Sequence, residues 1–193
     1  MNHAERFPPK IHDFYERLSY SESPEHEPFW QAVYQKAFPN LIFAQSCKGK
    51  CQGQYAGIDR VIQLKSGQTI KIDEKMRPED YPDILLEYIS NDKLQTSGWI
   101  EDDLLIDFLA YAFSPSKRCY LLPWQSLKRV WNHFKNDWIK NYPRIEAKNP
   151  GYKTISVAIP IPILLNEIKN SMIIKIVATN DPNQPLPLPE NSD

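Results

Sequence analysis

The segment of residues 57–77 constrains the fold most, because it has the pattern of two strands joined by a tight turn. Apolar and polar residues alternate on both sides of residues 65–67, which is typical of a β-hairpin with one buried face. Gly67 suits the left-handed position that ends a three-residue hairpin loop with a G1 bulge. This register places Asp59 directly opposite Asp73, whereas a two-residue turn would place it opposite Glu74. The glycine favours the first register.

The charges on this hairpin need an explanation, because two carboxylates that face each other across a sheet are destabilising unless a cation compensates them. Side chains alternate along a strand, so Asp73 and Lys75 share one face and Glu74 lies on the other. Mg²⁺ prefers oxygen ligands, and Asp59, Asp73 and the backbone carbonyl of Glu74 supply a suitable set. We therefore predict a site for Mg²⁺, with Mn²⁺ as an alternative, beside a lysine that orients or helps to deprotonate an attacking water. A solvated hairpin face with ordinary charge pairs is the competing interpretation.

Glu87 is a further candidate for the same site. It interrupts the apolar run at residues 84–89, where an unpaired carboxylate is costly. We predict a catalytic role, either as an additional metal ligand or as a partner of Lys75. The alternative is a structural carboxylate that an arginine or a backbone amide satisfies.

The spacing of these residues resembles the signature of the PD-(D/E)XK nuclease superfamily, which has the restriction-endonuclease-like fold. The sequence GID at residues 57–59 stands where that family has its first motif, and DEK at residues 73–75 stands where it has D/E-x-K. Isoleucine replaces the proline that gives the family its name. The chain is also similar to uncharacterised phage and mobile-element proteins with a GIDR…DEK…ILLEY arrangement. The resemblance covers about residues 25–135, and it implies an α/β fold with a central mixed β-sheet flanked by helices.

The other hydrophobic patterns predict one α/β domain. Helices are expected at residues 23–38, from residue 123 onward and at 160–171, and strands at 41–45, 84–90, 104–113, 119–122 and 153–159. We expect residues 1–22 to form an N-terminal arm with a short helix near residues 12–18. Residues 23–177 form the nuclease-like domain in this interpretation, and the proline-rich residues 178–193 form a disordered tail.

The helix that begins near Pro123 carries three basic side chains opposite its apolar stripe, namely Lys128, Arg129 and Lys135. The sequence around this helix is rich in basic residues, whereas residues 73–107 are predominantly acidic. Basic residues on one helix face favour contacts with phosphates, so we predict that these three bind nucleic acid. The solvated face of an ordinary core helix would give the same pattern.

Composition limits the location and the partners. The chain has 193 residues and a net charge of −1, and its apolar runs are far shorter than a membrane span, so we expect a soluble protein with no membrane association. Its first residues lack the apolar segment of a secretory signal, which predicts a cytoplasmic location. Cys47 and Cys51 have a spacing that a zinc site could use only with further ligands, and ordinary reduced cysteines are the simpler interpretation.

Together these features predict a Mg²⁺-dependent nuclease that hydrolyses phosphodiester bonds, with DNA as the expected substrate by analogy with the family. The alternative is a catalytically silent protein of the same fold that binds nucleic acid or a protein partner. A homodimer is compatible with either function.

Overall fold

The computed structural model describes residues 11–13, 20–21, 23–48, 57–169 and 171–176, which form a mixed α/β fold. The α-helices whose bounds lie within these residues are α1 (Glu27–Ala37), which follows a short 3₁₀ turn (Pro24–His26), α2 (Trp124–Asn141) and α3 (Ile161–Glu167); Tyr20 and Ser21 are helical as well. The strands are β1 (Ile11–Asp13), β2 (Leu41–Ser46), β3 (Arg60–Leu64), β4 (Thr69–Arg77), β5 (Asp83–Asn91), β6 (Thr96–Ser97), β7 (Phe108–Phe113), β8 (Arg118–Pro123), β9 (Arg144–Asn149), β10 (Tyr152–Pro160) and β11 (Met172–Lys175).

Proline marks the start of all three helices. Pro28 occupies the first turn of α1, while Pro123 and Pro160 immediately precede α2 and α3. A proline is tolerated there because its fixed φ suits the first helical turn and its missing N–H would have no partner within the helix. The prolines in the sequence therefore predict where these helices begin to within a few residues.

The strands form two sheets. The six-stranded sheet has the order β11-β8-β7-β4-β3-β2, in which β4 and β7 are parallel and the other neighbours are antiparallel. The five-stranded sheet has the order β1-β9-β10-β5-β6, with only β1 and β9 parallel. After β4 the chain enters the five-stranded sheet as β5 and β6, then returns as β7 beside β4.

The register of the β3–β4 hairpin agrees with the sequence prediction. Arg60 pairs with Ile72 and Ile62 pairs with Ile70, so Asp59, one position before β3, is opposite Asp73. Gly67 has a φ of +85°, in the left-handed region that the three-residue loop requires.

The two faces of the six-stranded sheet are covered differently. On one face, Ile62, Ile70 and Ile72 pack in a core with the buried aromatic residues of α1. On the other face, Leu109 and Tyr111 belong to a second core that also contains the apolar residues of α2, β5 and β10. Since β4 and β7 pair with Asp73 beside Leu109 and Lys75 beside Tyr111, these two charged residues lie on the second face.

Several sequence predictions of secondary structure were wrong in detail. The strand expected at residues 104–113 begins only at Phe108, because the preceding residues form a connection in which Leu105 is exposed. The sequence pattern predicts a helix that begins near His12, but His12 lies in β1, where pairing with β9 overrides the local pattern. Strands β9 and β11 were not predicted. The rest of the expected N-terminal helix and the proline-rich tail lie outside the described residues.

Among the helices of the described ranges, none combines the length and the apolar character that crossing a membrane requires.

We expect Gly98→Ala to destabilise the connection between β5 and β7. A Cβ atom at Gly98 would lie 2.3 Å from the carbonyl oxygen of Glu87, so the backbone would have to move. Overpacking of this kind costs about 1–3 kcal/mol of unfolding free energy. Urea denaturation measures this loss. The control is Gly67→Asn, where no atom lies within 4 Å and asparagine tolerates the positive φ; equal stability of the two variants would contradict the packing at Gly98.

Candidate active site

Asp59, Asp73 and Lys75 lie together on one face of the β3–β4 hairpin. The Lys75 Nζ is 2.7 Å from Asp73 Oδ1. The backbone N–H of Glu74 donates a hydrogen bond of 2.9 Å to Asp59 Oδ2, which fixes that carboxylate beside β4. Asp73 is only 3% exposed, whereas a third of the Lys75 side chain (33%) remains accessible. The hairpin register and the alternation of side chains thus bring all three residues together.

The electrostatics of this cluster are dominated by negative charge. Burial, followed by the neighbouring charge of Asp73, raises the pKa of Asp59 to about 6, although Lys75 and the Glu74 N–H act in the opposite direction. Burial alone would lower the pKa of Lys75, but the carboxylates of Asp73 and Asp59 outweigh it and raise that pKa. Lys75 is therefore a permanent cation, and its single charge does not satisfy the carboxylates around it.

Glu87 reaches the same cluster from the other sheet. It lies on β5 and pairs with Ser156 on β10. Burial raises the pKa of Glu87 to about 7, while the charge of Lys75 and a hydrogen bond from the Trp99 backbone lower it. Lys75, the predicted partner of Glu87, and a backbone amide, part of the structural alternative, therefore both act on this carboxylate.

The donor set fits a hard divalent cation in part. No group of three or more His, Cys, Asp and Glu residues in the described ranges is arranged to hold a metal. Asp59 and Asp73 nevertheless supply two carboxylates with too little positive charge around them, and Mg²⁺ commonly takes one or two carboxylates with water and substrate oxygens completing its shell. The N–H of Glu74 points toward Asp59, and the N–H and C=O of one strand residue face the same neighbour, so the Glu74 carbonyl is also on this side.

The opposite face of the hairpin carries a buried ionic cluster that sequence reasoning missed. Arg60 is fully buried, and its Nε is 2.5 Å from Glu74 Oε1. The Arg60 Nη2 is 2.7 Å from Glu27 Oε2, the Tyr34 hydroxyl donates to Glu74 Oε1 at 2.9 Å, and the Lys48 Nζ is 3.0 Å from Glu74 Oε2. The Glu74 side chain is thus an anchor for the strand that carries the candidate site.

A signal for this cluster was present in the sequence. In the register predicted for the hairpin, Arg60 falls on the same face as Ile62, Ile70 and Ile72, with Glu74 two residues beyond Ile72. A charge among apolar residues on a buried face requires a partner, and Glu74 is the nearest opposite charge on that face. The prediction considered only the Glu74 backbone and so overlooked the pair.

The candidate site opens into a cavity of about 510 Å³ between the two sheets. The six-stranded sheet contributes Asp59, Asp73, Lys75, Arg77 and Tyr111, and the connection to β7 contributes Trp99 and Leu104. The five-stranded sheet contributes Leu85, Glu87, Ile145, Ala147, Thr154 and Ser156. The carboxylates therefore face a recess and not an open surface.

The basic residues of α2 lie away from this cavity, and two of them have intramolecular partners. The Lys128 Nζ donates to the backbone carbonyls of residues 100–102 at 2.9–3.1 Å. The Lys135 Nζ is 3.5 Å from Glu101 Oε1, and Arg129 is exposed. The Lys128 side chain thus links α2 to the connection before β7 through hydrogen bonds. Phosphate binding by Lys128, Arg129 and Lys135 stays a prediction.

The cysteines do not form a group in the described part of the chain. Cys119 is buried in the core beside α1, where burial raises the pKa of its thiol well above the ordinary value. Cys47 is partly exposed after β2, and Cys51 lies outside the described residues.

Comparisons of the chain with protein-family models, with curated proteins and with solved structures gave no match.

We expect Asp59→Asn to stabilise the metal-free protein at pH 8. The folded-state pKa of Asp59, about 6, lies above the ordinary value of 3.8, so the folded protein holds this proton more tightly than the unfolded chain does. The unfolding free energy therefore falls as pH rises through this window and levels off above it. The variant should gain about 1–3 kcal/mol at pH 8 and roughly half as much at pH 5. Urea denaturation with a chelator measures both values. Asp137→Asn, on the exposed side of α2, is the control; a gain that does not depend on pH would contradict the electrostatic cause.

We expect Arg60→Met to be strongly destabilising, because it removes the fully buried partner of Glu74 and leaves that buried carboxylate with only Lys48 and the Tyr34 hydroxyl. Breaking a buried pair in this way costs up to about 3–5 kcal/mol of unfolding free energy. The double variant Arg60→Met/Glu74→Gln should recover much of this loss, since it also removes the buried negative charge. Urea denaturation of both variants, with Arg129→Met on the surface of α2 as control, tests the coupling. A single variant that loses less than about 1 kcal/mol would show that the cluster is not anchored by charge.

Proposed function

We propose that this chain is a Mg²⁺- or Mn²⁺-dependent nuclease that hydrolyses phosphodiester bonds of nucleic acid, with DNA as the expected polymer. The observation that carries the proposal is the hairpin register, which brings Asp59 opposite Asp73 with Lys75 in contact. Two carboxylates and a lysine in this arrangement match the signature that the sequence resembles. The recess supports the proposal, because it provides a partly desolvated place for a phosphate.

The order of the elements supports a restriction-endonuclease-like core. Helix α1 is followed by β2, by the Asp59 strand β3 and by the Asp73 strand β4, and a parallel strand, β7, then pairs with β4. The later strand and helix are β8 and α2. The connection between β4 and β7 differs from a helical crossover, because it contains β5 and β6. This insertion brings Glu87 to the site.

The proposed reaction joins a water oxygen to phosphorus and breaks the bond from phosphorus to one sugar oxygen, which takes up a proton from solvent. A bound divalent ion would supply a Lewis acid for the phosphate oxygens. Asp59 and Asp73 would hold that ion, and the charged Lys75 would orient the water and offset the negative charge that develops on the phosphate. In the metal-free protein the carboxylates of Asp73 and Asp59 raise the pKa of Lys75, so its charged form suits it to orient the water. Burial raises the pKa of Glu87 to about 7 in the metal-free protein, which makes this carboxylate the candidate proton acceptor near neutral pH.

We expect Asp73→Ala to abolish metal-dependent cleavage while the protein stays folded, because it removes a metal ligand and the repulsion with Asp59. Lys75→Met should lower cleavage at least about 100-fold and retain metal binding, since the lysine acts on the water. The measurement is cleavage of plasmid and single-stranded DNA with Mg²⁺, Mn²⁺ or a chelator. Asp137→Asn is the control for both variants. Normal cutting by Asp73→Ala would mean that the site lies elsewhere.

The catalytically silent alternative predicts a different result in the same cleavage assays. A silent protein would bind nucleic acid without cutting it under any of these metal conditions. Titration calorimetry with Mn²⁺ separates the two further, because a functional site requires metal binding that the Asp59→Asn/Asp73→Asn variant loses. Equal metal binding by wild type and this variant would reject the proposed metal ligands.

A further inference from the structure

Arg77 is a half-buried cation that the proposed reaction does not use. It is the last residue of β4, and alternation places it on the same face as Asp73 and Lys75. Its Nη1 donates to the Tyr111 hydroxyl at 3.0 Å, and its guanidinium lies 4.5 Å from the centre of the Tyr81 ring. Both contacts orient the guanidinium beside the cavity without supplying a formal negative charge.

The Arg77 guanidinium also has a hydrogen-bond donor that no acceptor among the described residues uses. None of the ion pairs formed among the described residues includes Arg77. Its Nε is buried and has no hydrogen-bond partner in the same part of the chain. A cation that is partly removed from water favours a partner of opposite charge, and an arginine presents several N–H groups that match two phosphate oxygens at once. An arginine that lines a cavity and has no acidic partner among the described residues is suited to bind an anionic group of a ligand.

The spacing along β4 relates Arg77 to the candidate site. Residues two apart on one strand face are about 6.8 Å apart, so Arg77 lies one such step beyond Lys75 and two beyond Asp73. Neighbouring phosphates of an extended, unpaired strand repeat over a similar distance. A strand with one phosphate at Asp73 and Lys75 could therefore place a neighbouring phosphate at Arg77.

The cavity also restricts the form of the nucleic acid. Side chains from both sheets line it, and the Asp73 side chain is only 4% exposed. Sheets that face each other are about 10 Å apart, whereas the major groove of a duplex alone is about 12 Å wide. A volume of about 510 Å³ suits a few groups of an unpaired strand, and Trp99 provides an aromatic surface for a base.

We propose that the cavity binds an unpaired end of a nucleic-acid strand, with Arg77 holding the phosphate next to the one that reacts. This inference rests on the proposed function for the choice of a phosphodiester substrate. Arg77 is thus a substrate-binding residue, and intact duplex is not a direct substrate.

The test measures binding of a 5′-phosphorylated thymidine trinucleotide to the full chain. Ca²⁺ replaces Mg²⁺ in this measurement, because it takes the same oxygen ligands. A gel verifies that the oligonucleotide stays intact. We expect Arg77→Gln to weaken binding about tenfold and to reduce the slope of log K against log salt by about 0.7, the contribution of one phosphate contact on a single strand. Arg77→Lys should keep the wild-type slope. A closed duplex without free ends should bind at least about tenfold more weakly than the trinucleotide.

The control is Arg144→Gln, because Arg144 pairs with Glu146 on the side of β9 that faces away from the cavity. Urea denaturation verifies that each variant is folded. The inference is overturned if the trinucleotide does not bind, if Arg77→Gln leaves affinity and slope unchanged, or if the closed duplex binds equally well. Cleavage by the wild type in these cases would leave the proposed function standing. Conversely, Arg77-dependent binding without any cleavage would keep Arg77 as the residue that binds the strand end and reject the nuclease activity.

Discussion

The buried pair of Arg60 and Glu74 is the interaction on which the candidate site depends. Arg60 lies on β3 and Glu74 on β4, and their contact fixes the two strands in one register. A shift of one residue would turn every side chain of the hairpin to the other face, which would bury Lys75 among apolar residues and expose Glu74. A buried ion pair adds little net stability compared with apolar residues, but it discriminates strongly against an arrangement that leaves either charge alone. Together with the turn at Gly67, the pair favours the register that sets Asp59 opposite Asp73.

The two faces of the hairpin have opposite electrostatic conditions as a result. Behind the sheet, Glu74 is surrounded by donors from Arg60, Tyr34 and Lys48. In front, burial and mutual repulsion raise the pKa of Asp59, and burial raises that of Glu87. The Glu74 side chain behind the sheet thus has several donors around it, whereas Asp59 and Glu87 in front of the sheet are short of compensating positive charge. Unsatisfied charge on a rigid support is typical of functional sites, where stability is lower than the fold could provide.

The sequence was sufficient for the local part of this arrangement and insufficient for the rest. Gly67 and the alternation around it determine the hairpin, because turn chemistry and strand periodicity act over a few residues. The cavity forms because β9 and β10 face β4. These two strands follow β4 by about 70 residues in the sequence, so no local pattern encodes the contact. Lys128 shows the same limit, since its basic character suggested phosphates while tertiary structure directs its ammonium to three backbone carbonyls. Arg77 was overlooked for a related reason: only the fold reveals that it lines the cavity.

The enclosure of the site changes what the signature residues can do. On an open hairpin, Asp59, Asp73 and Lys75 would be a solvated group of charges with ordinary pKa values. The five-stranded sheet covers them and brings Glu87 into range, so their charges act through a less polar medium and on one another. The same cover narrows access to Asp73, because any ligand must fit between the sheets before it reaches this side chain. In the proposed nuclease, reactivity and selectivity would therefore share one structural origin, the insertion of β5 and β6 between the parallel strands β4 and β7.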